Sequence, residues 1–191
     1  SRGLGDVYKR QARIGALEKI KTYQVEDFEA IFRLSQDRPT IVRLLDPPLH
    51  EFLPSSDEDI ASVAEQLDIP KDVLRKRIAE LNEVNPMLGH RGCRLAITYP
   101  ELYEMQVEAI IESVLQLKKE GIECHPEIMI PLVSTVEEFI TLKDRLAETI
   151  TQLKNDAKTN VNYLIGTMIE TPRACLIAVS YTHLTLPTTP Y

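Results

Sequence analysis

The chain has 191 residues, enough for one domain with its own core. With 43% hydrophobic and 27% charged residues it has the composition of a globular protein, and no apolar run approaches the ~20 residues of a membrane-spanning helix. Its formal charge of −7 provides no broad basic surface for a nucleic-acid backbone, so we expect no membrane and no nucleic-acid partner, and local arginines must bind any anion.

The two ends of the chain are predicted to be translated adapter. One codon choice for residues 6–11, DVYKRQ, has a reverse complement that reads Val-Ser-Tyr-Thr-His and then a codon beginning with C, and residues 179–184 are VSYTHL. Such a pair resembles a sequencing-library adapter translated with a short insert, and additions of this kind are left out of fold reasoning. We therefore expect residues 1–11 and 179–191 to be artefact and residues 12–178 to be the authentic domain.

The first authentic segment predicts a helix followed by a buried strand. Apolar residues recur at helical spacing over residues 12–34, with an interruption expected around residues 22–24. Residues 40–45, TIVRLL, form a β-branched and apolar run, which is typical of a parallel strand buried on both faces. Pro47 and Pro48 then end the strand.

Arg43 lies near the end of this strand, where packing alone does not explain a charged side chain. An unpaired buried guanidinium is energetically costly, so Arg43 either forms a salt bridge to a neighbouring strand or clamps a phosphate or carboxylate anion. The residue types leave both interpretations open. Asp46 follows in the proline-stiffened turn, and the sequence assigns it no role.

A helical insert follows the prolines. Ser55 and Glu58 predict a capping box for a short helix, and Pro70 begins a second helix that ends before residues 85–86. After the insert, residues 95–97 form an apolar run that we interpret as the second strand.

The rest of the chain alternates helices and strands. The predicted elements are a helix from residue 100 to about residue 120, a strand over residues 127–133, a helix capped by Ser134 and Glu137 that runs to about residue 153, and a strand over residues 162–169. Four strands that alternate with helices indicate a parallel sheet with helical crossovers.

Charged residues recur at the ends of these strands. Arg91 precedes the second apolar run beside Gly89 and Gly92, which either let the backbone approach a ligand closely or form a tight turn. Glu170 follows the strand predicted over residues 162–169. Together with the arginine of the first strand, these residues are expected at the carboxyl-terminal rim of a barrel, where active sites lie.

Three segments resemble the pyruvate, phosphate dikinase family and occur in that family's order. They are RLLDPPLHEFLP at residues 43–54, NPMLGHRGCRLAITYPE at residues 85–101 and IGTMIETPRA at residues 165–174, and the resemblance covers residues 16–178. DPPLHEFLP is the most discriminating part, because related barrels that use phosphoenolpyruvate (PEP) lack it. The resemblance implies an α/β fold, namely a partial (β/α)8 TIM barrel of about four βα units plus the helical insert.

The same resemblance implies a phosphotransferase with paired acceptors. The parent enzyme would interconvert ATP, phosphate and pyruvate with AMP, diphosphate and PEP through a phosphohistidine on a swivelling domain of the same chain. Here Arg43 and Arg91 would be catalytic and substrate-binding arginines, and Glu170 would bind substrate and Mg²⁺. His50 and His90 are interpreted as structural, since the phosphohistidine motif is absent.

Other parts of the family's site are expected outside this chain. The resemblance implies a further substrate arginine upstream, and a second metal carboxylate in a GTND-like motif and a proton-donor cysteine downstream. Cys93, Cys124 and Cys175 show no CxxC spacing, so neither a structural zinc site nor a disulfide is indicated. Because the resemblance places the proton-donor cysteine further downstream, Cys175 is not expected to be the proton donor. We expect the chain alone to be inactive, and its parent to be a cytoplasmic homodimer, with a plastid location left open.

Two other functions compete with this one. The first is another PEP-utilising barrel, either PEP synthase or enzyme I of the sugar phosphotransferase system, and DPPLHEFLP argues against both. The second is a non-catalytic module whose arginines only recognise an anion. A GTND-like motif, a later cysteine and an upstream nucleotide-grasp region in flanking sequence would distinguish the dikinase from both.

Overall fold

Three parallel strands, and the helices that connect and pack on them, make up the described chain. The structure, a computed structural model, describes residues 2–48, 53–81 and 86–185. In chain order its helices and strands are α1 (Arg2–Ser35), β1 (Pro39–Arg43), α2 (Asp57–Gln66), α3 (Lys71–Leu81), α4 (Gly92–Thr98), α5 (Glu101–Lys119), β2 (His125–Ile130), α6 (Val136–Ala157), β3 (Leu164–Thr167), α7 (Pro172–Leu176) and α8 (Ala178–Thr185). None of the described helices combines the length and the apolar composition that crossing a membrane requires.

The sheet has the strand order β1-β2-β3, and both strand pairs are parallel. Val42 lies beside Ile128, which lies beside Ile165, so the carboxyl ends of the three strands meet at one edge. Helices connect the strands, as parallel pairs require and as the alternating pattern predicted. A mixed α/β fold with a parallel sheet is therefore confirmed.

The apolar run at residues 95–97 belongs to α4, so the prediction of a strand there is wrong. Leu95 and Ala96 are buried while Ile97 is 42% exposed, which is the pattern of one helix face. So short an apolar run fits a helix and a strand equally, and its periodicity cannot separate them. The helix begins at Gly92, whose φ of +54° lies in the left-handed region.

The sheet is covered on one face only within the described chain, so the expectation that β1 is buried on both faces is wrong. Ile128 and Ile130 of β2 belong to the same buried core as α5 and α6. On the other face, Ile41 of β1 is 58% exposed and Leu164 of β3 is 42% exposed. One sheet face therefore remains open, and it carries Ile41 and Leu164 with Glu127 between them in register.

Helix α1 is continuous, so the interruption expected at residues 22–24 is wrong. Thr22 stays helical and donates its hydroxyl to the carbonyl of Glu18 one turn earlier, at 3.2 Å. Buried residues lie on both sides of that point, at Leu17 and Phe28, and α1 packs against α5 along its length. Tertiary packing thus overrides a weak local pattern.

The helical insert is confirmed, with small differences at the helix starts. Helices α2 and α3 share a small core of Ile60, Ala64 and Leu74. The capping residues lie one position later than predicted: Ser56 with Asp59 for α2, and Thr135 with Glu138 for α6. In both cases two neighbouring residues have the same capping chemistry, so the sequence does not decide between them.

Both ends interpreted as adapter are helical where they are described. Residues 2–11 continue α1, and residues 179–185 lie in α8. Tyr181 in α8 is 2% exposed, so this part of the C-terminal end packs against the core. A helical backbone and one buried ring do not distinguish adapter from authentic sequence, so the adapter interpretation stays a prediction.

Candidate active site

The three predicted site residues lie together at the carboxyl ends of the strands. Arg43 is the last residue of β1, Arg91 immediately precedes α4, and Glu170 lies between β3 and α7. Arg43 Nη2 is 3.4 Å from Glu170 Oε1, and both arginines contact the carboxylate of Asp46. The expected convergence of the three side chains is confirmed, while their roles stay predictions.

Asp46 connects the two arginines. Arg91 donates through Nε to Oδ1 at 2.7 Å and through Nη2 to Oδ2 at 2.9 Å, which makes a bidentate pair. Arg43 Nη2 donates to the same Oδ2 at 2.9 Å. The Asp46 side chain is only 8% exposed, and its hydrogen bonds hold both guanidinium groups in one orientation. Asp46 had no role assigned from the sequence, although a carboxylate in a rigid turn just after a strand-end arginine is a usable signal.

Helix α5 fixes the turn that carries Asp46. Both backbone polar groups of Leu45 bond to its side chains: the N–H donates to Gln106 Oε1 at 2.8 Å, and the carbonyl accepts from the Tyr103 hydroxyl at 2.9 Å. Gln106 and Tyr103 are both buried, and burial raises the pKa of Tyr103 far above its usual range, so its hydroxyl stays a donor. Neither residue was predicted from the sequence to support the site.

Glu170 is oriented by the end of β2. Its Oε1 accepts from the backbone N–H of Leu132 at 2.8 Å as well as from the β1 arginine. Thr171 caps α7: its hydroxyl accepts from the Ala174 N–H at 3.3 Å and donates to the Val133 carbonyl at 3.0 Å. Among the described residues Oε2 of Glu170 has no hydrogen-bond partner, and the side chain is 19% exposed. One carboxylate oxygen is therefore available to a ligand.

The two guanidinium groups and two carboxylates balance in charge, but the arginines differ in access. The Arg43 side chain is 41% exposed and that of Arg91 is 18% exposed. Within the described chain, only Nη2 of Arg43 donates hydrogen bonds, so its Nε and Nη1 can bind an incoming anion. An anion that approaches this edge of the sheet can bind Arg43 without breaking the Asp46 contacts of Arg91.

A known family has the same sequence pattern over nearly the whole chain. A family model described as "PEP-utilising enzyme, PEP-binding domain" matches residues 7–183. The chain belongs to this family. The resemblance inferred from the three segments is confirmed by this family model together with the relatives described next.

This PEP-binding domain is similar to proteins named pyruvate, phosphate dikinase. It is 49% identical over 162 residues to the one from Rickettsia felis, which covers 84% of this chain and 18% of that protein. It is 45% identical over 169 residues to the one from Clostridium symbiosum, covering 88% and 19%. It is 46% identical over 170 residues to pyruvate, phosphate dikinase 1, chloroplastic, from Arabidopsis thaliana, covering 88% and 18%. The chain thus spans less than a fifth of the length of these relatives.

The side chains of the candidate site can provide one protein ligand to a Mg²⁺ ion. In the described ranges, no group of three or more His, Cys, Asp or Glu side chains could hold a metal ion. Mg²⁺ at phosphate sites is usually bound through one or two carboxylates, with substrate phosphates and water as further ligands. Glu170 fits as one such carboxylate because its Oε2 is available. Asp46 does not, because both of its carboxylate oxygens already accept from arginines.

The structure describes His90 and Cys93, two of the other residues singled out from the sequence. His90 Nε2 lies 2.9 Å from Thr98 Oγ1 and its ring packs edge-on to Tyr99, in agreement with its structural interpretation. His50 lies outside the described residues. Burial raises the pKa of the Cys93 thiol to about 12, so Cys93 is not a thiolate nucleophile at neutral pH.

Proposed function

We propose that this domain binds PEP and pyruvate at a cluster of Arg43, Asp46, Arg91 and Glu170, as part of a pyruvate, phosphate dikinase. The observation that carries the proposal is a pair of arginines held by one buried carboxylate at the edge where the parallel strands end. Two arginines suit PEP, because its phosphate and its carboxylate both match the guanidinium fork. The names of the relatives favour a dikinase over PEP synthase or enzyme I, and an enzyme over a non-catalytic anion-binding module.

The two arginines have different tasks in this proposal. Arg91 is held bidentately by Asp46, so it offers a preorganised positive charge that needs no rearrangement when substrate binds. Arg43 is more exposed and keeps two nitrogens outside its carboxylate contacts, which suits capture of the incoming anion. Glu170 supplies a carboxylate oxygen for Mg²⁺ beside Arg43.

In the proposed reaction the phosphoryl group of PEP moves to a histidine on a swivelling domain of the parent enzyme. The bond between phosphorus and the enol oxygen breaks, the electron pair stays on that oxygen, and the enolate then takes a proton from a donor outside this chain. Arg43 and Arg91 favour the transfer because they neutralise negative charge as it moves from the phosphoryl group to the enolate. Mg²⁺, when bound, would add positive charge at the same place.

We also propose that the sheet is part of a (β/α)8 barrel. Its open face carries Ile41 and Leu164, and exposed apolar side chains on a sheet need a second layer of side chains to cover them. In a barrel this face is the interior, which side chains from the remaining strands fill. The swivelling domain, the homodimer, the cytoplasmic location and the inactivity of the chain alone stay predictions.

The proposal is tested kinetically in the full-length enzyme, by which we mean the longer protein proposed to contain this domain. Arg43→Lys should lower kcat/KM for pyruvate formation from PEP about 10²-fold with little change in Tm, because an ammonium group cannot reproduce bidentate anion binding. The control is Arg145→Lys, since Arg145 pairs with Glu104 at the surface and should leave kcat/KM near the wild-type value. Parallel losses of Tm and rate in Arg43→Lys would mark Arg43 as structural and contradict the proposal.

A further inference from the structure

Arg94 lies three residues after Arg91, on α4, and has no role in the proposed reaction. Its guanidinium donates through Nε to the Gly89 carbonyl at 2.6 Å, through Nη2 to the Met87 carbonyl at 2.7 Å and through Nη1 to the Leu132 carbonyl at 3.1 Å. Each of its three nitrogens therefore bonds to a backbone carbonyl. Such an arginine fixes the backbone rather than neutralising a carboxylate.

The three carbonyls belong to two segments that support the candidate site. Met87, in a 3-10 helix (Pro86–Leu88), and Gly89 lie in the segment that leads to Arg91, which we call the Arg91 loop. Leu132 follows β2, and its N–H donates to Glu170 Oε1 at 2.8 Å. The Arg94 side chain thus links the segment that leads to Arg91 with the turn whose N–H binds Glu170.

The backbone at Leu132 depends on such contacts. Leu132 has a φ of +58°, in the left-handed region that bulky side chains rarely adopt. Its carbonyl accepts from Cys93 Sγ at 3.2 Å in addition to Arg94. Gly92 packs so closely on the same turn that a Cβ there would lie 3.1 Å from Leu132 Cβ and 3.2 Å from the Pro131 carbonyl oxygen. The start of α4 is therefore seated on the turn whose N–H holds the carboxylate.

We infer that Arg94 is a positioning residue that sets the separation between Arg91 and Glu170. The inference rests on the proposed function, in which these two residues bind PEP and Mg²⁺. Without the three hydrogen bonds of Arg94, the Arg91 loop keeps only the contacts of Gly92 and Cys93 to the Leu132 turn, so the separation of the substrate anion from the metal ligand is less tightly fixed. Lysine does not replace Arg94, because its donors radiate from one atom and do not span three carbonyls.

The test compares Arg94→Met and Arg94→Lys in the full-length enzyme, with Arg145→Met on α6 as the surface control. The readouts are the KM for PEP, the Mg²⁺ concentration that gives half-maximal activity, kcat and Tm. Both Arg94 variants should raise the KM for PEP and the Mg²⁺ midpoint about tenfold, as the loss of contacts that orient metal ligands does elsewhere. Arg145→Met should leave both quantities unchanged.

A lower kcat with an unchanged KM for PEP and an unchanged Mg²⁺ midpoint would mean that Arg94 only maintains the folded fraction, and it would overturn the inference. Wild-type values of all four quantities would also overturn it. If the Arg94→Met variant does not fold, the Arg94→Lys variant, which retains the charge and a hydrogen-bond donor, is measured instead and interpreted by the same criteria. Arg43→Lys separates the two proposals. If it leaves PEP kinetics unchanged, the proposed function fails; if it weakens PEP binding while the Arg94 variants do not, only the present inference fails.

Discussion

Gln106 is a buried polar side chain that accepts the N–H of Leu45, the residue before Asp46. Replacing it with leucine leaves that N–H without a partner, which costs about 1–3 kcal/mol. Gln106→Leu in the full-length enzyme should therefore lower the hydrogen-exchange protection of the Leu45 amide at least about tenfold. Gln116→Leu makes the same change at an exposed position of α5 and should leave that amide as protected as in wild type. Unchanged protection in Gln106→Leu would show that α5 does not hold the Asp46 turn.

The sequence identified the charged residues of the candidate site but not the residues that hold them. Arg43 and Glu170 could be found because each lies in a segment with a family resemblance and at the end of a predicted strand, whereas Arg91 could be found from the resemblance, since the strand predicted after it is a helix. Gln106 and Tyr103 could not, because their bonds to Leu45 join positions 61 and 58 residues apart and leave no local pattern. Only the fold brings such groups together.

Among the helices, α1 is attached to α5 by ion pairs as well as by apolar packing. The pairs are Arg13 with Glu101, Lys21 with Glu108 and Glu112, and Arg33 with Glu120. Burial raises the pKa of Glu101, but a backbone hydrogen bond and the Arg13 guanidinium outweigh it and hold that pKa below its ordinary value. Ionised Glu101 therefore stabilises the contact between α1 and α5.

This contribution has a defined pH dependence. Because the folded-state pKa of Glu101 is depressed, the stabilisation is present above the unfolded pKa of about 4.3 and is lost as the pH falls through the folded value. At pH 7, Glu101→Gln should lower hydrogen-exchange protection of α1 amides about two- to fivefold, and the difference should begin to shrink below the unfolded pKa and approach zero only as the pH falls through the depressed folded-state pKa. Glu58→Gln, in the first turn of α2, is the control. If the difference in protection between wild type and Glu101→Gln persists at low pH, it results from lost packing and not from lost charge.

Element types could be predicted where the pattern was long, and were wrong where it was short. The helix from Glu101 and the strands around residues 127–130 and 164–167 were expected from apolar runs and helical spacing, and they are confirmed. The run at residues 95–97 gave the wrong element because so few residues carry no usable period. The capping residues of α6 are displaced by one position, because Ser134 and Thr135 are chemically equivalent there.

For the whole molecule, the parallel topology divides the sheet into a packed face, an open face and a charged edge. Ile128 lies in the core, Ile41 is on the open face, and Arg43 lies at the carboxyl edge where the strands end together. The sequence predicted this edge because parallel strands joined by helices must end on the same side. It could not predict which face of β1 is open, because continuous apolar runs look alike whether one face or both are covered.

The central claim is that this edge of the sheet binds PEP and Mg²⁺, and the most direct test is a crystal structure of the full-length enzyme with PEP and Mn²⁺ in place of Mg²⁺. The account predicts an anomalous Mn²⁺ peak about 2.0–2.3 Å from a carboxylate oxygen of Glu170, with anionic oxygens of PEP about 3 Å from guanidinium nitrogens of Arg43 and Arg91. The claim is contradicted if the Mn²⁺ peak and the PEP density lie elsewhere in the enzyme while Asp46 keeps its contacts with both arginines.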